Sequence, residues 1–132
     1  MITTEVKHAI VMLVDDNPIE NLVNGKLLTA SGFANKITTF ETGKDTLEFL
    51  QNAHPDELPE VIFLDIIMPG MDGFQFLDEF EKLDERIRKR CKVVMLSSSD
   101  SFKDLNRANK NKLVRKFLNK PLTTEMLAAI NI

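Results

Sequence analysis

Cysteine is almost missing from this 132-residue chain: Cys91 stands alone, so no internal disulfide can form. That usage fits a reducing cytoplasm. No apolar run approaches the length that spans a bilayer, which argues against membrane insertion. Residues 1–8 lack the positive start and apolar middle of a signal peptide and read as a short frayed lead-in. Glycine is sparse, with five residues and no glycine-rich phosphate loop, so nucleotide binding is not expected. Repeats, low-complexity segments and linkers are also lacking, and residues 1–132 read as a single domain with a core over about 9–130. The net charge of -3 gives no overall drive toward nucleic acid or acidic membrane.

What is present alternates between short apolar runs and amphipathic stretches. Residues 9–14 (AIVMLV) suit a strand buried on both faces. Asn17 and Pro18 then offer a helix cap and a first helical position. Ile19, Leu22, Val23, Leu27 and Ala30 follow at helical spacing as the expected apolar stripe, closed by Ser31-Gly32. Strands are expected at 36–40, 61–64, 92–96 and 115–118. Helices are expected after Thr42, after Asp72, after Ser99 or Asp100, and after Thr123. The third helix carries Phe76, Leu77, Phe80 and Leu83, with 84–90 as its charged, exposed tail. A βα unit repeated five times calls for an α/β fold: a five-stranded parallel sheet with helices on both faces.

The ends of these strands hold the chemistry. Asp15 and Asp16 follow the first, Asp65 the third, Ser97 the fourth and Lys120 the fifth, with a weaker ending at Thr39-Phe40. Ligands of open parallel sheets bind at the carboxyl ends of the strands. Singly, each residue has a plain reading as a cap, a turn or a surface charge. Together, three carboxylates would repel one another in a partly dry pocket. A hard dication, Mg²⁺ or Mn²⁺, relieves that repulsion. Asp65, alone at its strand end, is the candidate nucleophile toward phosphorus. Lys120 would supply a second cation and Ser97 a hydrogen bond.

The stretches LVDDNP (13–18), FLDIIMPGMDGFQFL (63–77), VVMLSSS (93–99) and FLNKPL (117–122) resemble a response-regulator receiver domain of two-component signalling. The resemblance implies a doubly wound, flavodoxin-like sheet of order 2-1-3-4-5 with five helices. It implies that Asp65 accepts the phosphoryl group and that Asp16 ligates the metal directly. Asp15 would act largely through metal-bound water, and the backbone carbonyl of Ile67 would be a further ligand. Ser97 and Lys120 match the hydroxyl and the ammonium that meet the phosphoryl group, Lys120 through a bond to Pro121 that is often cis. Phe117 matches the switch aromatic, without the hydroxyl of the commoner tyrosine. Ile67 and Ser99 match positions that tune phosphoryl lifetime.

Expected partners are a sensor histidine kinase or phosphotransfer protein and a downstream protein target, with a weak homodimer as an option and no direct nucleic acid. The output face would be the fourth predicted helix, the fifth strand and the fifth predicted helix. Leu113-Val114 replace the family's usual Gly-Ala before that strand, which leaves the end of the fourth helix open. A stand-alone cytoplasmic phosphoacceptor, not an enzyme, is the leading expectation. A Mg²⁺-dependent phosphatase usually needs Asp-x-Asp at its nucleophile strand, and here Ile66-Ile67 follow Asp65. A phosphate-independent binding module is disfavoured by the intact set of acids, Ser97 and Lys120.

Charge is uneven. Residues 56–85 hold ten acids against Lys82; residues 103–120 hold seven bases against Asp104. The pattern marks either a partner surface or two solvated helix faces. His8 and His54 are expected at the surface, Phe74, Phe76 and Phe80 in or near the core, and Met68, Met71 and Met95 in packing.

Overall fold

The structure is a computed structural model that describes residues 6–98 and 102–132. Five strands, β1 (His8–Val14), β2 (Ala34–Phe40), β3 (Val61–Asp65), β4 (Lys92–Ser97) and β5 (Val114–Asn119), form one parallel sheet in the order β2-β1-β3-β4-β5. Around it lie α1 (Pro18–Ala30), α2 (Gly43–Asn52), α3 (Gly73–Phe80), α4 (Glu85–Arg90), α5 (Phe102–Lys110) and α6 (Thr124–Ala129). The sheet order is the expected one; the helix count is six among the described residues rather than five. The additional helix is α4. The chain turns at residues 81–83, Leu83 is buried, and the Asp84 carboxylate then accepts from Arg86 N at 2.9 Å to cap a new helix. The fourth and fifth helices of the sequence reading are therefore α5 and α6.

Alternation along the strands splits the core into two layers. Met12, Val14, Ile62, Leu64, Val93 and Met95 face α2, α3 and α5 through Leu50, Phe76, Leu77, Phe80 and Ala108. Val11, Leu13, Val61, Phe63, Val94 and Leu96 face α1 and α6 through Leu28 and Leu127. Phe74 and Met68 are also buried, as expected of packing residues. Cys91 is buried too, and that burial pushes its thiol up to about 12.

Two expectations of burial are corrected. Ile19, Leu22 and Val23 of α1 are exposed, at 70%, 59% and 59%. The helix instead buries Asn21 and Leu28, with Gly25 lying over Ile37 and Leu13. Asn21 faces inward because the sheet end offers it carbonyls: Nδ2 donates to Asp15 O at 2.9 Å and to Phe40 O at 3.4 Å. His8 is also buried rather than at the surface. It lies against the Phe33 ring, with Nδ1 3.4 Å from the Glu60 carboxylate. Burial lowers its pKa, and Glu60 opposes that shift. His54 is exposed and caps the 3-10 turn Pro55–Glu57, its Nδ1 accepting from Asp56 N.

Asn17, Thr42, Asp72 and Thr123 cap their helices as expected. The proposed cap of α5 at Ser99 or Asp100 lies outside the described residues. At its other end the polar run closes α5 with a turn: Asn111 N donates to Ala108 O, and the Asn111 side chain accepts from Leu113 N at 2.9 Å.

The two views of α1 differ in measurable stability. Leu28→Ala, at a fully buried position, is expected to cost about 2–5 kcal/mol, whereas Leu22→Ala at the exposed face changes stability by no more than about 0.5 kcal/mol. Urea unfolding midpoints of the two variants check this.

Candidate functional site

The sheet order brings the carboxyl ends of β1, β3, β4 and β5 together. Carboxylate oxygens of Asp15, Asp16 and Asp65 lie within 4.8 Å of one another. Asp15 and Asp65 are buried, while Asp16 is exposed at the mouth. Lys120 reaches in from the end of β5, its side chain only 11% exposed. Its Nζ stands 2.8 Å from Asp15 Oδ2 and 3.4 Å from Asp65 Oδ1. The Lys120–Pro121 bond is cis. Lys120 N donates to Ser97 O at 2.7 Å, which ties this loop to the end of β4. Ser97 is buried one position beyond Leu96, the register partner of Asp65.

Local sequence makes this geometry. Asp15 Oδ1 accepts from Asn17 N at 2.9 Å, so the turn into α1 fixes the carboxylate. Gly73 N donates to Ile66 O at 2.8 Å, and a Cβ on Gly73 would lie 2.9 Å from Asp65 O. Only glycine lets α3 start this close to the end of β3. Gly70, at φ 80°, makes the turn between them.

Burial raises the Asp65 carboxyl to about 6, against the pull of the Lys120 ammonium and with a further push from Asp15 and Asp16. Burial likewise opposes charge on Lys120, but hydrogen bonds to Asp15 and Glu20 and the charge of Asp65 outweigh it, so its pKa lies above the usual value. The pocket thus holds a locked cation among acids that repel one another. Its three carboxylates also fit a metal. Oxygens around one octahedral ion with bonds of about 2.1 Å are about 3–4 Å apart, close to the spread seen here.

Not all the expected residues are placed equally. Asp15, Asp16, Asp65 and Lys120 converge, and Ser97 sits at the adjoining strand end. Ile67 has a 64% exposed side chain in the β3–α3 loop. Phe117 is half-buried on β5, opposite Met95 and packed against the α2–α3–α5 layer. Ser99 lies outside the described residues. Two residues of the site were missed from sequence. Glu20 Oε2 sits 3.0 Å from Lys120 Nζ, and Asn21 holds α1 to the ends of β1 and β2. Both sit in the first turns of α1, and only their place just after the acidic pair hinted at a role.

The description "Response regulator receiver domain" matches residues 11–131. The chain belongs to that family. It is 33% identical over 120 residues to a "Probable methanogenesis regulatory protein FilR2" of Methanothrix harundinacea, covering 89% of this chain and 76% of that one. It is 29% identical over 123 residues to the "Sensor histidine kinase CheAY" of Helicobacter pylori, covering 92% of this chain but 14% of that protein. Among solved structures, a response regulator receiver protein from Dyadobacter fermentans superposes with a TM-score of 0.82 at 30% identity, covering 90% of this chain and 91% of that one. The fold is the flavodoxin-like receiver fold. Receiver domains are phosphoacceptors rather than catalysts acting on a separate substrate. They bind Mg²⁺ at an acidic pocket and interact with histidine kinases or phosphotransfer proteins. The Asp15, Asp16 and Asp65 cluster of this receiver fits that phosphorylation site. Among the described residues no helix is long and apolar enough to cross a membrane.

The raised pKa of Asp65 has a signed consequence. Its folded-state value of about 6 lies above the ordinary 3.8. Well below pH 3.8 the group is neutral folded or unfolded. As pH rises from 3.8 to about 6 the unfolded carboxyl ionises first, and up to about 3 kcal/mol of stability is lost by the time the folded one has ionised. In EDTA, Asp65→Asn is therefore expected to exceed the parent in stability at pH 7 and to match it near pH 3. Urea midpoints across that range measure the crossover.

Proposed function

We propose that Asp65 is the phosphoacceptor of this receiver and takes its phosphoryl group from a phosphohistidine of a sensor histidine kinase or phosphotransfer protein. The observation that carries this reading is the lysine of one strand end lying between the carboxylates of two others, Asp15 and Asp65. In the transfer, a carboxylate oxygen of Asp65 bonds to phosphorus as the phosphorus–nitrogen bond breaks. The Lys120 ammonium neutralises charge building on the phosphoryl oxygens, and the Ser97 hydroxyl supplies a hydrogen bond. Asp15, Asp16, Asp65 and the Ile67 carbonyl would hold Mg²⁺ or Mn²⁺, which supplies further charge neutralisation when bound. Asp15 is suited to act through metal-bound water, since Lys120 and Asn17 N already engage its two oxygens.

The exposed Ile19, Leu22 and Val23 give the donor a place to dock. They flank Glu20 on α1 beside the mouth of the pocket, where an apolar stripe on a partner helix would cover them. Output would pass through Phe117 to α5, β5 and α6. Lys103, Arg107, Lys110, Lys112, Arg115 and Lys116 are exposed there, and Phe102 is 80% exposed. Such a face fits an acidic target, with a weak homodimer as the other use of it. This receiver unit would work in the cytoplasm.

The test is intact mass after incubation with Mg²⁺ and a small-molecule phosphodonor. One phosphoryl group is expected on the parent and none on Asp65→Asn; a folded parent that gains none would sink the reading. Leu22→Asp should keep this reaction and lose transfer from a histidine kinase. Ile67 also offers an apolar side chain where an attacking water would be guided. Ile67→Asn should therefore shorten the aspartyl-phosphate half-life, and an unchanged half-life would remove Ile67 from the tuning role.

A further inference from the structure

Lys120 has three N–H bonds and three carboxylate neighbours: Asp15 Oδ2 at 2.8 Å, Glu20 Oε2 at 3.0 Å and Asp65 Oδ1 at 3.4 Å. Asp15 and Asp65 belong to the strand-end set. Glu20 does not. It comes from the first turn of α1 and has a side chain 41% exposed to water. We propose that Glu20 is a positioning residue that tethers Lys120 in the unphosphorylated receiver and opposes its move onto a phosphoryl group.

The inference rests on Asp65 as phosphoacceptor. A phosphoryl group there brings new anionic oxygens to the side where Lys120 now makes its longest contact. Two of its N–H bonds donate to Asp15 and Glu20, and Asp65 is a longer ion pair, so a full move onto those oxygens draws the ammonium away from Glu20 or Asp15. Asp15 is buried and pinned by Asn17 N. Glu20 is the partner that can return to water at least cost. The switch then loses the Lys120–Glu20 pair and leaves a carboxylate facing a fresh anion. Both effects favour the unphosphorylated state. The same negative charge, close to Asp15, adds to the field that draws Mg²⁺. Removing the charge should therefore act in opposite directions on the two ligands, which loss of a merely structural ion pair would not do.

The test uses Glu20→Gln, Glu20→Ala and Glu20→Asp in the full chain. Beryllium fluoride, a phosphoryl mimic, is titrated calorimetrically at saturating Mg²⁺, and Mg²⁺ alone is titrated separately. Glu20→Gln and Glu20→Ala should bind beryllium fluoride about two- to fivefold more tightly than the parent, the range expected for a partly exposed ion pair. Their affinity for Mg²⁺ alone should fall about twofold. Glu20→Asp, which keeps the charge, should lie nearer the parent in both. Equal or weaker fluoride binding by both neutral variants, with only a lower Tm, would overturn the tether. A folded parent that binds no beryllium fluoride would instead overturn the phosphoacceptor reading, and this inference with it.

Discussion

The Lys120 ammonium is the constraint around which the rest of the molecule is arranged. It arrives just after β5, the last strand of the sheet, and pairs with the carboxylate that follows β1 and the one that ends β3. Those carboxylates repel one another, and burial makes the repulsion stronger. Without the ammonium, Asp15 and Asp65 would be uncompensated charges in a mostly dry place. The ammonium alone is still insufficient, because Asp65 remains raised to about 6 with Lys120 at 3.4 Å. The pocket is left electrostatically under-filled, a state that favours a cation and then an anion bound on that cation. Stability is given up locally so that charge can be accepted later.

Such a pocket needs rigid walls, and they come from main-chain ties rather than large contacts. Lys120 N to Ser97 O, Ile66 N to Leu96 O and Asp15 N to Phe40 O each join adjacent strand ends. The Asn21 amide spans the ends of β1 and β2. Gly73 lets α3 approach the carbonyl of Asp65 more closely than any side chain would allow. Behind this rim, the fully buried Met12, Phe63, Leu64 and Met95 fill both layers, so the strand ends have little freedom to relax the charges apart.

Much of this was readable in the sequence, and what was not has a physical reason. Continuous apolar runs such as 9–14 announce strands buried on both faces, and the cap residues Asn17, Thr42, Asp72 and Thr123 fix where helices start. The site was readable because strand ends in a parallel sheet converge, so position along the chain translates into position in space. The α1 stripe misled because apolarity was taken as burial. Here Asn21 and Gly25 face the sheet, one to satisfy carbonyls and the other to allow close packing, while Ile19, Leu22 and Val23 remain in water. Glu20 was hidden for a related reason: a first-turn acid is a common helix feature, and only the tertiary position of Lys120 gives it a partner. His8 looked like part of a frayed lead-in, yet β1 begins with it and Phe33 covers it.

The proposed switch would draw on weak contacts around β5 and α5. Phe117 is half-buried already, so burying it further gains only part of the value of a fully transferred aromatic ring. It carries no hydroxyl that would reward the exposed state, so solvent exposure of the ring is less favourable than for tyrosine. On the neighbouring helix, the Arg107 guanidinium lies 3.9 Å from the centroid of the Phe74 ring. A contact of this kind is worth about 0.5–1 kcal/mol when one side is exposed. Phe74 directly follows Gly73, where a Cβ would lie 2.9 Å from Asp65 O, so α5 is held by a weak contact to the start of α3 beside the end of β3. Under the proposed switch, a phosphoryl group on Asp65 would need to gain only a few kcal/mol from Lys120 and Ser97 to change which packing of α5 and β5 is populated.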